Sequence, residues 1–211
     1  MSRHAPIDPG EFRSLPLRAH ELLDDVPLHD VWRVTLPDTG KPCSIPLVRT
    51  LLGVGTEQTD SPAGTATEGP GQSLPVRALF ALRWALGRVF GWDEEPADTD
   101  DWSYRSRLTD EDIDRSTVAT GTKDGPFTLL YVLENEALSE IRNSTVHAFL
   151  VTAVAPVSER TADGHYFYMA VYVKPVSGWT AAYMALIDPF RRWIVYPELL
   201  RRLERRWLQG P

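Results

Sequence analysis

The sequence predicts an α+β fold in which a curved antiparallel sheet grips a long, bent C-terminal helix, as one domain over residues 1–211 with a space between sheet and helix. Two observations lead there. The runs Asn143–Val154 and His165–Lys174 read as long strands, and they feed a tail that is helical in pattern from Trp179 to Trp207. Within that tail, Asp188-Pro189 and Tyr196-Pro197 each set a proline where a first helical turn tolerates it, so the helix divides into consecutive segments with a bend.

The preceding elements follow in order. Residues up to about Pro9 lack a pattern and are expected to fray, and a short helix is predicted around Arg18–Asp24. Val31–Leu36 alternates and is β-rich, ending at the turn residues Pro37-Asp-Thr-Gly40. Ser44 is placed to cap a helix with Pro46 in its first turn and Gly53 at its end. From about 53 to 72 the chain holds Gly, Thr, Ser, Pro and Glu with almost no large apolar residue, which predicts a flexible loop. Leu74–Phe90 is a helix apolar around most of its circumference, and 91–101 is an acidic connector. Thr109-Asp-Glu-Asp112 has the form of a capped helical turn. Ser116–Thr120 and Phe127–Glu134 flank a glycine-bearing turn and read as a hairpin, with Phe127, Leu129, Tyr131 and Leu133 on one face. Asn135–Glu140 is expected to turn the chain into the long strands.

Composition bounds the function. The chain has 211 residues, 43% hydrophobic, and a net charge of −7, which would repel nucleic acid and anionic membrane at long range. The single cysteine, Cys43, forms no internal disulfide and no thiolate metal cage. No apolar run approaches the roughly 20 residues that span a bilayer, and no signal-peptide core is present, so a cytoplasmic protein without membrane insertion is expected. There is no HExxH, nucleophile elbow or P-loop. No cofactor and no metal are expected.

Read as one strand, Ile141–Val151 places Asn143, Thr145 and His147 on one face as a polar ladder with steps of about 6.5–7 Å, suited to reaching along a ligand. On the next strand Tyr166, Tyr168, Tyr172 and Lys174 share a face, and Phe167, Met169, Val171 and Val173 the other. A tyrosine row suits a flat apolar molecule with a few polar atoms. Tyr131, Trp179 and Tyr183 complete the candidate ligand-binding set. His147 is the candidate for proton transfer, with Glu134, Glu140 and Tyr131 as companions. In the last helix Leu199, Leu200, Leu203, Trp207 and Leu208 form a stripe, and Arg201, Arg202, Arg205 and Arg206 face away.

Several motifs stand in a familiar order: Ala81-Leu-Arg-Trp-Ala-Leu-Gly-Arg-Val-Phe-Gly-Trp92, Gly125-Pro-Phe127, Glu140-Ile-Arg-Asn-Ser-Thr-Val-His-Ala148, Met169-Ala-Val-Tyr-Val-Lys-Pro175, and Tyr183-Met-Ala-Leu-Ile-Asp-Pro-Phe-Arg191 with Val195-Tyr-Pro197. Over roughly its last two thirds the chain resembles a family of uncharacterised bacterial domains that occur alone or fused behind epimerase-like Rossmann domains. The resemblance implies a helix-grip fold similar to polyketide cyclases and START-type domains, in which the sheet and C-terminal helix enclose a pocket. It supplies no catalytic residues, and Gly53-Val-Gly55 followed by Gln58 supports no dinucleotide site. The expected function is binding of a hydrophobic or polycyclic small molecule between sheet and helix. A cofactor-free cyclase, isomerase or dehydratase using His147 is the alternative, and a protein-interaction module using the arginine face is the third. The oligomeric state is left open.

Overall fold

A computed structural model describes residues 4–53, 102–142, 146–157, 164–176, 178 and 180–209. The predicted loop beyond Gly53, the helix Leu74–Phe90, the acidic connector, Asn143, Thr145 and Trp179 lie outside the described residues, as does the side chain of Tyr183. Among the described residues no helix is long and apolar enough to cross a membrane.

The described elements are β1 (His4–Pro6), α1 (Pro9–Arg13), α2 (Arg18–Leu22), β2 (Leu28–Pro37), α3 (Ile45–Leu52), a 3-10 turn (Tyr104–Arg107), α4 (Asp110–Arg115), β3 (Lys123–Asp124), β4 (Phe127–Val132), β5 (Glu136–Arg142), β6 (Val146–Pro156), β7 (Gly164–Pro175), α5 (Thr180–Phe190), a π turn (Arg191–Val195) and α6 (Tyr196–Gln209). The strands form one curved, antiparallel, seven-stranded sheet in the order β1-β2-β7-β6-β5-β4-β3. The bent C-terminal helix packs on this sheet, as expected from the order of elements.

Both faces of the sheet are covered. On one, Trp32, Val34, Phe167, Met169 and Val173 meet Ile45 and Val48 of α3 and Leu200, Leu203 and Trp207 of α6. On the other, Tyr131, Leu138, Phe149, Tyr168 and Tyr172 meet Phe12, Leu17, Leu22 and Leu23 of the N-terminal segment and Tyr104 of the 3-10 turn. Alternation along β7 therefore separates its tyrosines from the C-terminal helix and places them beneath the N-terminal layer.

Local chemistry sets most boundaries. The Ser44 hydroxyl accepts from Leu47 N–H at the start of α3, and Gly53 ends it at φ 75°, a left-handed conformation that favours glycine. Thr109 and Asp112 cap α4 reciprocally. The N-terminus of α2 is capped from far along the chain, since Arg18 N–H and Ala19 N–H donate to the Glu136 carboxylate at 2.6 and 3.2 Å.

Five expectations are corrected. His4–Pro6, expected to fray, pairs with β2, His4 opposite Val34. Of Asn135–Glu140, expected to turn, all but Asn135 lie in strand β5 (Glu136–Arg142), whose glutamates Glu136 and Glu140 are buried because backbone and side-chain donors surround them. Arg142 pairs with His147 across two antiparallel strands, so Ile141 and His147 lie on neighbouring strands and not on one continuous strand, while Asn143 and Thr145 of the expected ladder lie outside the described residues. In β4 the register shifts between Leu129 and Tyr131, so Leu129 packs towards α3 while Tyr131 and Leu133 join the opposite core. The tail also bends differently: Pro189 lies within α5, and the break is the π turn that follows it.

Leu200 is fully buried between α6 and the sheet. Leu200→Ala is expected to lower stability by about 2–5 kcal/mol through lost transfer energy and a residual cavity. Urea unfolding checks this as a drop in midpoint at unchanged slope, and an unchanged midpoint would show α6 to be outside the cooperative core.

Candidate functional site

Two irregularities of the backbone face one another. In β2, Leu28 pairs with Tyr172 and Asp30 with Val171, so His29 is an extra residue, a bulge that re-aims the neighbouring side chains. In the C-terminal helix the π turn spans Arg191–Val195, between Pro189 and Pro197. Pro197 has no N–H to offer the Trp193 carbonyl, which prevents the α-helical register from running through this point.

Polar side chains from both irregularities converge. His29 Nε2 lies 2.8 and 3.0 Å from the two Asp188 oxygens. Arg191 donates to Asp188 Oδ1 at 3.1 Å and from Nε to the Tyr196 hydroxyl at 2.6 Å. Its contacts to Asp30 are long, 3.4 Å to each carboxylate oxygen. Arg192 stands 3.9 Å from both Asp30 and Asp188. Burial raises the Asp30 carboxyl above its ordinary value, against the pull of Arg191, and burial likewise raises the Tyr196 hydroxyl.

This polar cluster closes one end of an apolar layer. Trp32, two residues beyond Asp30 on the helix-facing side of β2, meets the Tyr196 ring edge-on at 5.5 Å. Met169, Val171 and Met184 belong to the same core. The Trp32 indole N–H is buried and has no acceptor among the described residues.

His29, Asp30 and Asp188 offer ligand atoms within 4.8 Å of one another, a nitrogen and oxygen set able to hold a divalent ion. Arg191 and Arg192 already set two positive charges against the same carboxylates, which opposes entry of a cation.

The predicted site residues whose side chains are described lie elsewhere. Tyr131 donates to Glu136, Tyr168 donates to Glu11 at 3.1 Å, and the Tyr172 hydroxyl is 3.1 Å from His20 Nδ1. Burial pushes the Tyr168 and Tyr172 hydroxyls up to about 12. Tyr166 lies under the Arg33 guanidinium, 4.2 Å from the ring centre. Tyr168 and Tyr172 fasten the N-terminal layer to the sheet. His147 is 2% exposed, with Nε2 3.2 Å from Glu140 and its ring among Phe149, Trp102 and Tyr104 at 4.3–5.5 Å. Glu140 also accepts from the Ser103 hydroxyl and from Tyr104 N–H at 3.2 Å. Of the expected companions, Glu140 and not Glu134 partners the histidine; Glu134 gives its carbonyl to Ile45 N–H. Cys43 is half-buried, and burial pushes its thiol up to about 11, away from thiolate chemistry. The arginine face is partly turned inward on its own helix and neighbour, with Arg201 and Arg205 at 3.3 and 3.6 Å from Glu198 and Arg206 on the Leu51 carbonyl.

Sequence reasoning missed His29, Asp30 and Arg191. The available signal was the Asp188-Pro-Phe-Arg191 string, two charges enclosing a helix-breaking residue inside an apolar helix.

Sheet, bulge and bent helix together define the class: an α+β domain whose antiparallel sheet carries a C-terminal helix broken by a π turn. A family model described as Protein of unknown function (DUF2867) matches residues 22–198, and the chain belongs to that family. The match runs from α2 into α6 and includes both irregularities. No curated protein and no solved structure matches the chain.

On the tyrosine face, Asp25 accepts from Arg107 at 2.7 and 2.9 Å, from Lys174 at 3.1 Å and from the Tyr104 hydroxyl. Arg107 above all holds its carboxyl far below the ordinary 3.8. A depressed value means stability present above 3.8 and lost as pH falls towards the folded-state value. Because Asp25 is 39% exposed, solvent screening limits this to about 1 kcal/mol or less. Asp25→Asn is therefore expected to be less stable than the parent at neutral pH, with the gap closing below about pH 4. Chemical unfolding across pH measures it, and a gap constant down to about pH 2 would show that the charge contributes nothing.

Proposed function

We propose that the protein binds a hydrophobic or polycyclic small molecule between the sheet and the C-terminal helix, as START-like helix-grip domains do, without a cofactor. The Trp32 indole N–H carries this reading. It is buried in an apolar layer without an acceptor among the described residues, a state that costs about 1–3 kcal/mol unless something supplies one. The helix-facing layer here contains Met169 and Met184, side chains that adapt to irregular occupants. Native mass spectrometry of protein purified from its own host is the direct test, with one small organic adduct per chain as the expected result. Trp32→Phe keeps a ring and removes the donor, so it should retain the fold and reduce adduct occupancy with about a tenfold or greater loss of affinity. Bare chains in both preparations would reject the reading.

A second reading, a cofactor-free cyclase, isomerase or dehydratase, is favoured by one observation. Beside the buried His147–Glu140 pair the indole N–H of Trp102 and Nε of Arg142 also lack acceptors, and the Arg142 guanidinium lies 5.2 Å from the Trp102 ring centre. Here His147 would move a proton with Glu140 orienting its ring. His147→Gln should then co-purify with a precursor, an isomer or a hydrated form of the wild-type adduct, resolved by chromatography and mass. The same molecule in both proteins would remove this reading.

A further inference from the structure

Asp30 is a buried carboxylate with too few partners. Its side chain is 6% exposed, and each oxygen's contact to Arg191 is 3.4 Å, longer than the usual charge-assisted bond of about 2.7–2.9 Å. Its neighbours are better provided: Asp188 takes 2.8 Å from His29 and 3.1 Å from Arg191, and Asp25 on the other face takes 2.7 Å from Arg107. Arg191 cannot favour Asp30 without giving up other contacts, since its Nε is committed to the Tyr196 hydroxyl and its Nη1 to Asp188. Acceptor capacity is thus left at Asp30 on the same side of β2 as the unpaired Trp32 N–H, about 6.5–7 Å away by backbone.

The local charges fix what can meet that capacity. Asp30 and Asp188 are offset by Arg191 and Arg192, so the cluster has no net charge left for a cationic occupant, and an occupant's carboxylate would face Asp30. A neutral donor remains. We propose, resting on the binding reading above, that the occupant is an uncharged hydroxylated ring compound whose hydroxyl donates to Asp30 and whose apolar body lies along Trp32, Met169 and Met184. A neutral hydroxyl adds one short bond to the carboxylate without importing charge, while the indole N–H is free for a second oxygen of the same molecule.

Four probes on one apolar skeleton test it by fluorescence or calorimetric titration of the intact chain: naphthalene, 2-naphthol, 2-naphthoate and 2-naphthylmethylammonium. The expected order places 2-naphthol about tenfold or more above naphthalene, with both charged probes weaker than 2-naphthol. Asp30→Ala should abolish the preference while leaving naphthalene binding within about twofold, and Asp30→Asn, which keeps an acceptor oxygen, should retain part of it. Melting curves of both variants confirm folding, and Asp30→Asn alone decides the matter if the alanine variant does not fold. Equal binding of all four probes, or a preference that survives loss of the carboxylate, overturns the hydroxyl inference and leaves the binding site standing. Failure of every probe to bind, naphthalene included, overturns the site itself.

Discussion

A sheet covered on both faces has no water to offer its polar side chains, and most of what is specific to this structure follows from that constraint. Burying a polar group unpaired is costly, so each one on the sheet must find a donor or acceptor in the layer above it. On the tyrosine face this is met for the carboxylates and tyrosine hydroxyls, though not for the Trp102 indole N–H or Arg142 Nε. Glu136 caps α2 and takes the Tyr131 hydroxyl; Glu140 takes Ser103, the Tyr104 backbone and His147; Tyr168 and Tyr172 reach Glu11 and His20. The N-terminal segment is held against the sheet by these ties as well as by Phe12, Leu17 and Leu22.

The helix face is arranged differently. Its layer is almost wholly apolar, and its polar groups collect at the end where the β2 bulge meets the π turn. Neither irregularity is stable by its own local chemistry, since each gives up regular backbone pairing. They hold each other through His29 with Asp188 and Asp30 with Arg191. The second of these is poorly made. A buried ion pair is worth keeping only when its geometry is good, because the desolvation of both charges must be recovered. Contacts of 3.4 Å to a carboxylate 6% exposed recover little of that cost.

The two-face division explains what was legible in the sequence. Elements governed by local chemistry were readable: the Ser44 and Thr109 caps, Gly53, the alternation of β7, and the amphipathic stripe of α6 are all set by neighbours within a few residues. Strand β5 was not, because Glu136 and Glu140 look like turn residues until their donors are known, and those donors come from residues 18, 19, 103 and 104. Likewise the tyrosine row was legible as a row, but alternation does not reveal which layer it faces. His29 and Asp30 sit just before the readable start of β2, and a bulge erases the period of two that would have extended the strand to include them.

The same division separates packing from recognition. On the tyrosine face aromatic residues are numerous, yet the hydroxyls of Tyr131, Tyr168 and Tyr172 are each engaged within the chain, so ligand contact there would have to break existing bonds. Among the described residues, the helix face leaves the Trp32 indole N–H unpaired and Asp30 with long contacts to Arg191, both on β2 opposite the break in the helix, while the Trp102 indole N–H and Arg142 Nε are unpaired beside His147 on the other side. The number of aromatic residues on a face therefore does not by itself mark it for binding in a sheet buried on both sides. The deciding quantity is which polar atoms the protein has left unsatisfied, because only those gain a hydrogen bond from an occupant without losing one first.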